Sequence, residues 1–402
     1  MRFLKLKRFW LGLSLFAIFG LLASCTGTRT LMMTTPSKPK GLTASPIITA
    51  SSIKAWDAQK AGLKQAFETQ IYGKMPDDFE TTEASRRAVT GHSYAAAIEE
   101  VVLQHPHGTD YTAVIVTPLN TNGPFPIIMM ENFCPNHNVI PVQGLSKPQT
   151  VSFDCGGDGM MSGVFGYFFG RYITTPPIEM IMQRGYALAV IFPSETYPDN
   201  AQRFFQSRKK DPNKYWGAVG AWAYQFSSLS DYLKQDERFS KTIAYGHSRY
   251  GKSTLVAAAF DETIDGVIAH QSGTGGASLS KSKKGETVAA ITEAYPHWFT
   301  FDYDEAKLTI DQHQLLALIA PRPILLGNAK RDVWSDPEGA FRAAKGAEPA
   351  YRLYGSEGLR QSKLTAFDAS ADIAFWIRPG THGVVKEDWP AFLEFMDAHF
   401  NN

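Results

Sequence analysis

The residues best suited to chemistry lie in the stretch Lys241–Ala259, which reads KTIAYGHSRYGKSTLVAAA. Its first residues are apolar and suit a buried strand, and its last residues suit a helix that begins near Lys252. A serine on a sharp turn between a strand and a helix is held clear of the sheet, where its hydroxyl can attack a carbonyl carbon. The pattern therefore predicts that Ser248 is a nucleophile.

Glycines on both sides of Ser248 support this interpretation. Gly246 and Gly251 carry no Cβ atom, so the strand and the helix can cross closely at the turn. The start of the helix would also direct N–H groups and the positive end of its dipole at an anion beside Ser248. The common pattern is Gly-x-Ser-x-Gly, whereas the second glycine comes one residue later here, and an ordinary turn stays the alternative. A phosphate-binding loop is disfavoured, because Gly251–Ser253 lacks the earlier glycine of that motif.

The elements that would position this serine alternate along the chain. The first two apolar segments are joined by a short turn and predict an antiparallel start to a sheet. The later ones alternate with helices, which indicates a mostly parallel sheet flanked by helices on both faces. With the turn at Ser248, this is the plan of the α/β-hydrolase fold with loop insertions. The strands are predicted at Ala95–Gln104, Tyr111–Thr117, Pro126–Met130, Ala187–Phe192, Thr242–Tyr245, Gly266–His270, Pro323–Leu326 and Ile373–Ile377, and the helices include Trp216–Lys234 and Pro390–His399.

A serine nucleophile needs a histidine base, and the histidine needs an acid that orients it. In this fold the acid follows the serine along the chain and the histidine comes last. His382 lies in the glycine-bearing loop Arg378–Gly383, between the last predicted strand and the last predicted helix. It is therefore the predicted base. His313 precedes the strand that should carry the acid, so we interpret it as structural.

Three carboxylates satisfy the order required of the acid. Asp332 follows the strand Pro323–Leu326, which is the usual position of the acid in this fold. Asp336 lies on the same loop, but it suits the N-cap of a helix that starts near Pro337. Glu286 also lies between Ser248 and His382 along the chain, but it does not follow the strand that usually carries the acid. We therefore predict that Asp332 is the acid.

The N-terminus predicts export and a lipid anchor. Residues 1–25 begin with basic residues, continue with an apolar run that is short for a membrane span, and end at Leu22-Ala23-Ser24-Cys25. This ending resembles a bacterial lipobox, so Cys25 would be the lipidated first residue of a membrane-tethered protein. An ordinary signal peptide with a coincidental cysteine is the alternative. Thr26 favours the outer membrane if the source is Gram-negative.

The rest of the chain divides into a linker and one domain. Residues 26–51 are rich in Thr, Ser, Pro and Gly and predict a flexible linker. Residues 52–402 are long enough for a large core and show no internal repeat, so we expect a single catalytic domain. Nothing in the sequence indicates more than a monomer.

Charge and cysteine content disfavour other classes of protein. The chain has 40 Lys and Arg against 39 Asp and Glu, and a net charge of +1 argues against a nucleic-acid partner. No Cys/His cluster has the spacing of a zinc site, which disfavours a metal mechanism. Cys134 and Cys155 could form a disulfide in an oxidising compartment or stay as two buried thiols.

Several further motifs occur in order around the predicted triad. They are Gly246–Lys252, Ser272–Gly276, Gly285–Thr287, Pro296–Phe299 and Leu315–Pro323. Together they resemble the bacterial glucuronoyl esterases of carbohydrate esterase family fifteen, over a region from about Tyr94 to the C-terminus. The resemblance implies an α/β-hydrolase that cleaves esters between 4-O-methylglucuronic acid of xylan and lignin alcohols, without a metal or cofactor.

The resemblance also implies roles for individual residues. Ser248 matches the nucleophile, His382 matches the base, and Arg249 matches an arginine that forms the oxyanion hole through its backbone N–H and guanidinium. Three further residues match positions that contact the glucuronate ring, namely Lys252, Glu286 and Trp334.

One departure from the family lies at Gln271. Many relatives have the catalytic glutamate immediately before Ser-Gly-x-Gly-Gly, where this chain has Gln271. A glutamine amide can orient a histidine but carries no negative charge, so the departure favours Asp332 as the acid. Two functions therefore remain beside a surface-tethered glucuronoyl esterase. One is a serine hydrolase of acetyl esters, methyl esters or peptides, and the other is a weakly active or non-catalytic sugar-binding lipoprotein.

Overall fold

The computed structural model describes residues 47–119, 122–148, 155, 169–209, 216–281 and 284–401. The predicted signal peptide, Cys25 and most of the predicted linker lie outside the described residues. The first helix, α1, is Ile53–Phe67, and the Ser52 hydroxyl caps its N-terminus by accepting a hydrogen bond from a backbone N–H. Across the described ranges, every helix is too short or too polar to cross a membrane.

The described strands form one sheet in the order β1-β2-β3-β5-β4-β6-β7-β8-β9. The neighbours from β1 to β5 along this order pair antiparallel, and those from β5 to β9 pair parallel. This mostly parallel sheet confirms the predicted fold class. The strands are β1 Thr82–Val89, β2 Ala96–Gln104, β3 Tyr111–Pro118, β4 Phe125–Glu131, β5 Ala187–Ile191, β6 Phe239–His247, β7 Gly266–His270, β8 Ile324–Ala329 and β9 Ile373–Arg378.

Helices cover both faces of the sheet, and each face has its own apolar cluster. Ile127 and Met129 of β4 belong to one cluster, and Ile128 and Met130 belong to the other, because successive side chains of a strand point to opposite faces. The remaining helices are α2 Asn136–Val139, α3 Ile178–Gln183, α4 Ala201–Lys209, α5 Ala218–Lys234, α6 Arg249–Phe260, α7 Val288–Ala294, α8 Gln312–Leu318, α9 Pro337–Leu353 and α10 Asp388–Phe400. Helices α1 and α4 to α9 contribute to the first cluster, and α2, α3 and α10 contribute to the second.

The structure differs from the sequence-based expectations at several elements. Helices α5 and α10 begin at Ala218 and Asp388 rather than at Trp216 and Pro390. Strand β1 was not predicted, because only its last residue is buried and its sequence TEASRRAV lacks an apolar pattern. Helix α1 was not predicted either. Helix α6 begins at Arg249 rather than near Lys252, because the whole turn is made by one residue. Cys134 and Cys155 form a disulfide, which decides between the two alternatives left open by the sequence.

Candidate active site

Ser248 is the only residue between β6 and α6. Its φ of 59° and ψ of −118° are unusual for a residue with a side chain, and such strain is typical of functional turns. The Ser248 N–H donates to the His270 carbonyl oxygen at 2.8 Å, which ties the turn to β7. A Cβ atom on Gly246 would lie 2.1 Å from the Tyr250 carbonyl oxygen, so this position requires glycine. The turn thus has the geometry of a nucleophile elbow, with the predicted serine at its tip.

Asp332 and His382 are brought together by neighbouring strands. Asp332 follows β8, His382 follows β9, and the two strands pair in parallel up to Ala329 and Arg378. Asp332 Oδ2 lies 2.8 Å from His382 Nδ1. Because a carboxylate can only accept, the imidazole donates its Nδ1–H and leaves Nε2 for a reacting proton. The His382 ring centroid is 4.7 Å from that of His247, the residue before Ser248, so the pair lies beside the elbow.

The environment of Asp332 keeps its carboxylate charged. Burial by itself disfavours the charged form, but the charge of His382 and hydrogen bonds from His382 and Ser335 outweigh burial. The pKa of Asp332 therefore lies below its ordinary value. A charged carboxylate in this position can both orient the imidazole and stabilise the imidazolium that forms when it takes a proton.

The competing residues from the sequence have other contacts. Asp336 Oδ1 accepts the Gly339 N–H at 2.9 Å, so this carboxylate caps α9 as its N-cap interpretation predicts. His313 lies on α8 and packs beside Gly346 of α9, in agreement with a structural role.

The Arg249 side chain is held by a cluster of polar and aromatic residues. Its guanidinium forms an ion pair with Asp199 and lies 5.0 Å from the ring centroid of Trp298. Asp199 Oδ1 also lies 2.8 Å from Trp298 Nε1 and 3.0 Å from His297 Nε2. Burial and the nearby charge of Arg249 lower the pKa of His297 to about 4, so this histidine is neutral at physiological pH. Asp199 thus accepts from three donors, namely Arg249, Trp298 and His297, and Arg249 is the predicted oxyanion residue.

The three residues predicted to contact the sugar ring lie on helix α6 and on two neighbouring loops. Lys252 is buried, and its Nζ donates to the Thr274 carbonyl oxygen at 2.7 Å. The Thr274 hydroxyl donates to the Glu286 carbonyl oxygen at 2.6 Å, and the Glu286 N–H donates to the Trp334 carbonyl oxygen at 2.9 Å. Trp334 is half-buried on the 3₁₀ turn Val333–Ser335, which directly follows Asp332. One chain of hydrogen bonds therefore joins these residues to the loop that carries the predicted acid.

Two contacts of the site were not expected from the sequence. Asp199 was overlooked, although it follows β5 at the carboxyl edge of the parallel strands, where ligands bind in open α/β sheets. From the sequence, Gln271 stands where an acid is missing, and its amide could still orient a histidine. Its side chain instead contacts the loop around His382, with Oε1 2.8 Å from the Gly383 nitrogen and Nε2 3.3 Å from the Thr381 carbonyl oxygen.

A sheet of this strand order, with a serine elbow after β6 and an aspartate–histidine pair after β8 and β9, defines the α/β-hydrolase class. A family model described as glucuronyl esterase, fungi, matches residues 192–355. The relative carbohydrate esterase MZ0003, from an unknown prokaryotic organism, is 33% identical over 379 residues, covering 87% of this chain and 86% of its own. The chain belongs to carbohydrate esterase family 15, and it is a carboxylic ester hydrolase.

Solved structures of the family agree with this assignment. A promiscuous CE15 esterase from a marine bacterial metagenome has a TM-score of 0.77 at 30% identity, covering 92% of this chain and 99% of that one. A glucuronoyl esterase from Solibacter usitatus has a TM-score of 0.76 at 27% identity, covering 91% of this chain and 99% of that one. Both likenesses extend over nearly the whole of the relatives' chains.

Proposed function

We propose that this esterase hydrolyses esters of 4-O-methylglucuronic acid, as found between xylan and lignin alcohols, with Ser248, His382 and Asp332 as its triad. The observation that carries the proposal is the 2.8 Å contact between His382 and Asp332 beside the serine elbow. Membership of a family that includes the Solibacter usitatus glucuronoyl esterase supports the substrate class. The resemblance of Lys252, Glu286 and Trp334 to sugar-contacting residues supports it independently of the triad.

The mechanism follows from the contacts of the three residues. Ser248 Oγ attacks the ester carbonyl carbon while His382 Nε2 takes the hydroxyl proton, and Asp332 stabilises the resulting imidazolium. His382 then returns the proton to the departing alcohol, which leaves an acyl-enzyme on Ser248. Water, deprotonated by the same histidine, releases the glucuronic acid and restores the serine. Each half of the cycle therefore moves one proton through His382.

Arg249 supplies the charge stabilisation that the tetrahedral intermediate needs. Its backbone N–H lies at the start of α6, where N–H groups have no partner within the helix. Removing one such oxyanion donor typically costs about 3–4 kcal/mol of transition-state stabilisation. The guanidinium adds a positive charge to this edge of the site, and Asp199 keeps that charge in a fixed position.

Recognition of the sugar does not depend on its carboxyl charge, because the esterified carboxyl group is neutral. Lys252 and Glu286 therefore bind ring hydroxyls, and Trp334 packs against a face of the sugar ring. The hydrogen-bonded chain that links these residues to the Asp332 loop supports a common orientation for the ring and the ester carbonyl.

Hydrolysis of benzyl glucuronate by the chain that starts at Thr26 tests the proposal. We expect turnover by the wild type, none by Ser248→Ala, and a kcat about 10⁴-fold lower in Asp332→Asn, because the neutral amide leaves the histidine without its charged partner. Glu286→Gln should lose far less kcat and should mainly raise KM. Loss of turnover in Glu286→Gln with an active Asp332→Asn would identify Glu286 as the acid instead.

A second specificity is favoured by the description of one relative at 30% identity as a promiscuous esterase. Rates on acetylated xylan and p-nitrophenyl acetate should therefore be measured beside those on benzyl glucuronate. A kcat/KM for acetyl esters above that for the uronate ester would contradict the proposed substrate. Labelling of Ser248 by a serine-directed phosphonate, together with turnover, would exclude a purely sugar-binding role.

We also propose that the mature protein is a monomer tethered through a lipidated Cys25 at the outer membrane or cell surface. The lipobox-like residues Leu22–Cys25 support the tether, and Thr26 supports the outer membrane. Such a position suits an enzyme that acts on polymers too large to enter the cell.

A further inference from the structure

Gln271 is a buried residue that reaches from β7 to the loop of the predicted base. It is 1% exposed, and its φ of 50° is rare for a residue with a side chain. Its N–H donates to the Gly327 carbonyl oxygen at 2.8 Å, so the backbone at this position is anchored to β8. The direction of the side chain is therefore determined by the sheet.

The side-chain amide bridges the two residues that flank His382. Gln271 Oε1 accepts the Gly383 N–H at 2.8 Å, and Nε2 donates to the Thr381 carbonyl oxygen at 3.3 Å. These two contacts hold the peptide groups immediately before and after the histidine. The rotation of the loop about its own axis is thereby restricted, and with it the direction of the imidazole.

Arg378 holds the same loop from the β9 side. Its guanidinium donates to the Thr381 carbonyl oxygen at 3.2 Å and to the Gly383 carbonyl oxygen at 2.6 Å. It is itself paired with the buried Asp388 at 2.9 Å. Arg378 belongs to the strand that carries the loop, whereas Gln271 ties the loop to β7, the neighbour of the strand that ends at the serine elbow.

The bridge requires an amide rather than a carboxylate. One end of it must accept from an N–H and the other must donate to a carbonyl oxygen, and a glutamine amide offers both at a fixed separation. An ionised glutamate has only acceptors, so one of its oxygens would face the Thr381 carbonyl oxygen without a hydrogen between them. A glutamine at position 271 therefore fits the donor and the acceptor that the His382 loop presents, and an ionised glutamate would not.

We propose that Gln271 is a positioning residue that sets the orientation of His382 through the peptide groups on either side of it. The proposal rests on the proposed role of His382 as the base. A base must lie within hydrogen-bond reach of the serine hydroxyl, and a displacement of about 1 Å can lower a rate about 10²-fold. Gln271 therefore acts on kcat, while the predicted sugar contacts that govern KM lie on α6 and on the loops that carry Glu286 and Trp334.

Gln271→Met removes the donor and the acceptor at nearly constant side-chain length. We expect kcat on benzyl glucuronate to fall about 10- to 100-fold, with KM changed less than about threefold. Gln361→Met is the matched control, because buried Gln361 makes a similar bridge from the Phe375 N–H, at 3.2 Å, to the Lys363 carbonyl oxygen, at 3.1 Å. Its kcat should equal that of the wild type. An unchanged kcat in Gln271→Met, or an equal loss in Gln361→Met, would overturn the proposal.

Gln271→Glu gives a pH signature that general destabilisation would not produce. A protonated carboxyl can still donate to Thr381 and accept from Gly383, whereas an ionised one cannot. The ratio of its kcat to that of the wild type should therefore fall as the pH is raised from about 6 to about 9. If the ratio of the two kcat values stays constant or rises with pH, the proposed hydrogen bonds from position 271 to Thr381 and Gly383 do not control the rate.

His382→Ala separates failure of this proposal from failure of the proposed triad. If His382→Ala is inactive and Gln271→Met turns over like the wild type, the triad stands and only the positioning role falls. If His382→Ala keeps wild-type turnover, His382 is not the base, and the proposed role of Gln271 in positioning it is wrong as well.

Discussion

At the scale of single residues, the proposed base and the proposed oxyanion residue each have a partner that carries a carboxylate or an amide. Asp332 orients His382, Asp199 pairs with Arg249, and Gln271 bridges the loop of His382. These partners fix the directions of groups that must meet developing charge without reorganisation. The contacts therefore matter for the rate more than for the binding of substrate.

Asp199→Asn tests whether the Arg249 guanidinium acts from the position in which Asp199 holds it. The amide cannot balance the charge of Arg249, and its NH₂ group would repel the donors that now converge on this residue. We expect kcat on benzyl glucuronate to fall about tenfold, a barrier increase of about 1.4 kcal/mol. Steady-state kinetics of Asp199→Asn, Arg249→Ala and the double variant provide the measurement.

The double variant should be no slower than Arg249→Ala alone, because the inferred effect of Asp199 on the rate passes through the guanidinium, which Arg249→Ala removes. If the increases in activation free energy of the two single variants add in the double variant, the two residues act separately, and the inferred role of Asp199 would be wrong.

At the scale of elements, β4 and α6 are joined by a contact directly behind the elbow. Ser253 Oγ on α6 lies 2.5 Å from Glu131 Oε2, at the end of β4, and 2.9 Å from the Tyr250 carbonyl oxygen. The hydroxyl has one hydrogen and Tyr250 can only accept, so a protonated Glu131 completes the network by donating to Ser253. Burial raises the pKa of Glu131 well above its ordinary value, because it outweighs the hydrogen bond that the Ser253 hydroxyl could donate to an ionised carboxylate.

Glu131→Gln should therefore change how stability depends on pH. The folded protein keeps a proton on Glu131 that the unfolded chain releases above its ordinary pKa, so this group's contribution is present at low pH and is lost as the pH rises. The loss is up to about 1.4 kcal/mol of unfolding free energy per pH unit, until the folded pKa is reached. Glutamine can donate to Ser253 at any pH. The free energy of unfolding of the variant should therefore increase relative to that of the wild type as the pH rises.

Urea unfolding of both proteins at about pH 5.5 and about pH 7.5 measures this difference, because all other titrating groups are shared and cancel. Parallel pH profiles for the two proteins would mean that Glu131 is ionised in the folded state.

The elements differ in how far the sequence alone predicts them. Strands β3 to β9 were predictable because their apolar residues are largely buried, and β2 because its buried residues alternate with partly buried ones, whereas β1 exposes nearly every residue. Ser248, Asp332 and His382 could be identified because the fold prescribes their order. The bridge from Gln271 to Thr381 and Gly383 could not, because it joins residues that are distant in the sequence and depends on the packing of neighbouring strands.

At the scale of the whole molecule, the parallel strands collect the site at one edge of the sheet. Asp199, Ser248, Gln271, Asp332 and His382 follow β5, β6, β7, β8 and β9 in turn. The carboxyl ends of parallel strands lie at the same edge, so one sheet positions the proposed nucleophile, base and acid and the residues that contact them. The relative positions of these residues therefore depend on the sheet more than on any one loop.

The predicted linker determines how far this site can work from a membrane. Ile48 is buried in the first apolar cluster, so a flexible part of the predicted linker can extend at most from Thr26 to Ile47. A flexible chain of that length would place the domain on average about 26 Å from a lipidated Cys25, and full extension would carry it to about 75 Å. That range exceeds the diameter of a polysaccharide chain. A tethered esterase could then reach bonds inside an insoluble polymer while remaining attached to the cell.

Expression of the full chain in a Gram-negative host tests the tether. We expect the wild type to sediment with membranes and to incorporate labelled palmitate, because acyl chains on Cys25 hold it at the bilayer. Cys25→Ala should do neither, and Ser24→Ala is the matched control, since it keeps a small residue before the cysteine and should still be labelled. Equal turnover of benzyl glucuronate by the detergent-solubilised wild type and any folded Cys25→Ala would show that the anchor affects location alone. An unlabelled, soluble wild type would instead indicate an ordinary signal peptide, and the enzyme would diffuse freely after export.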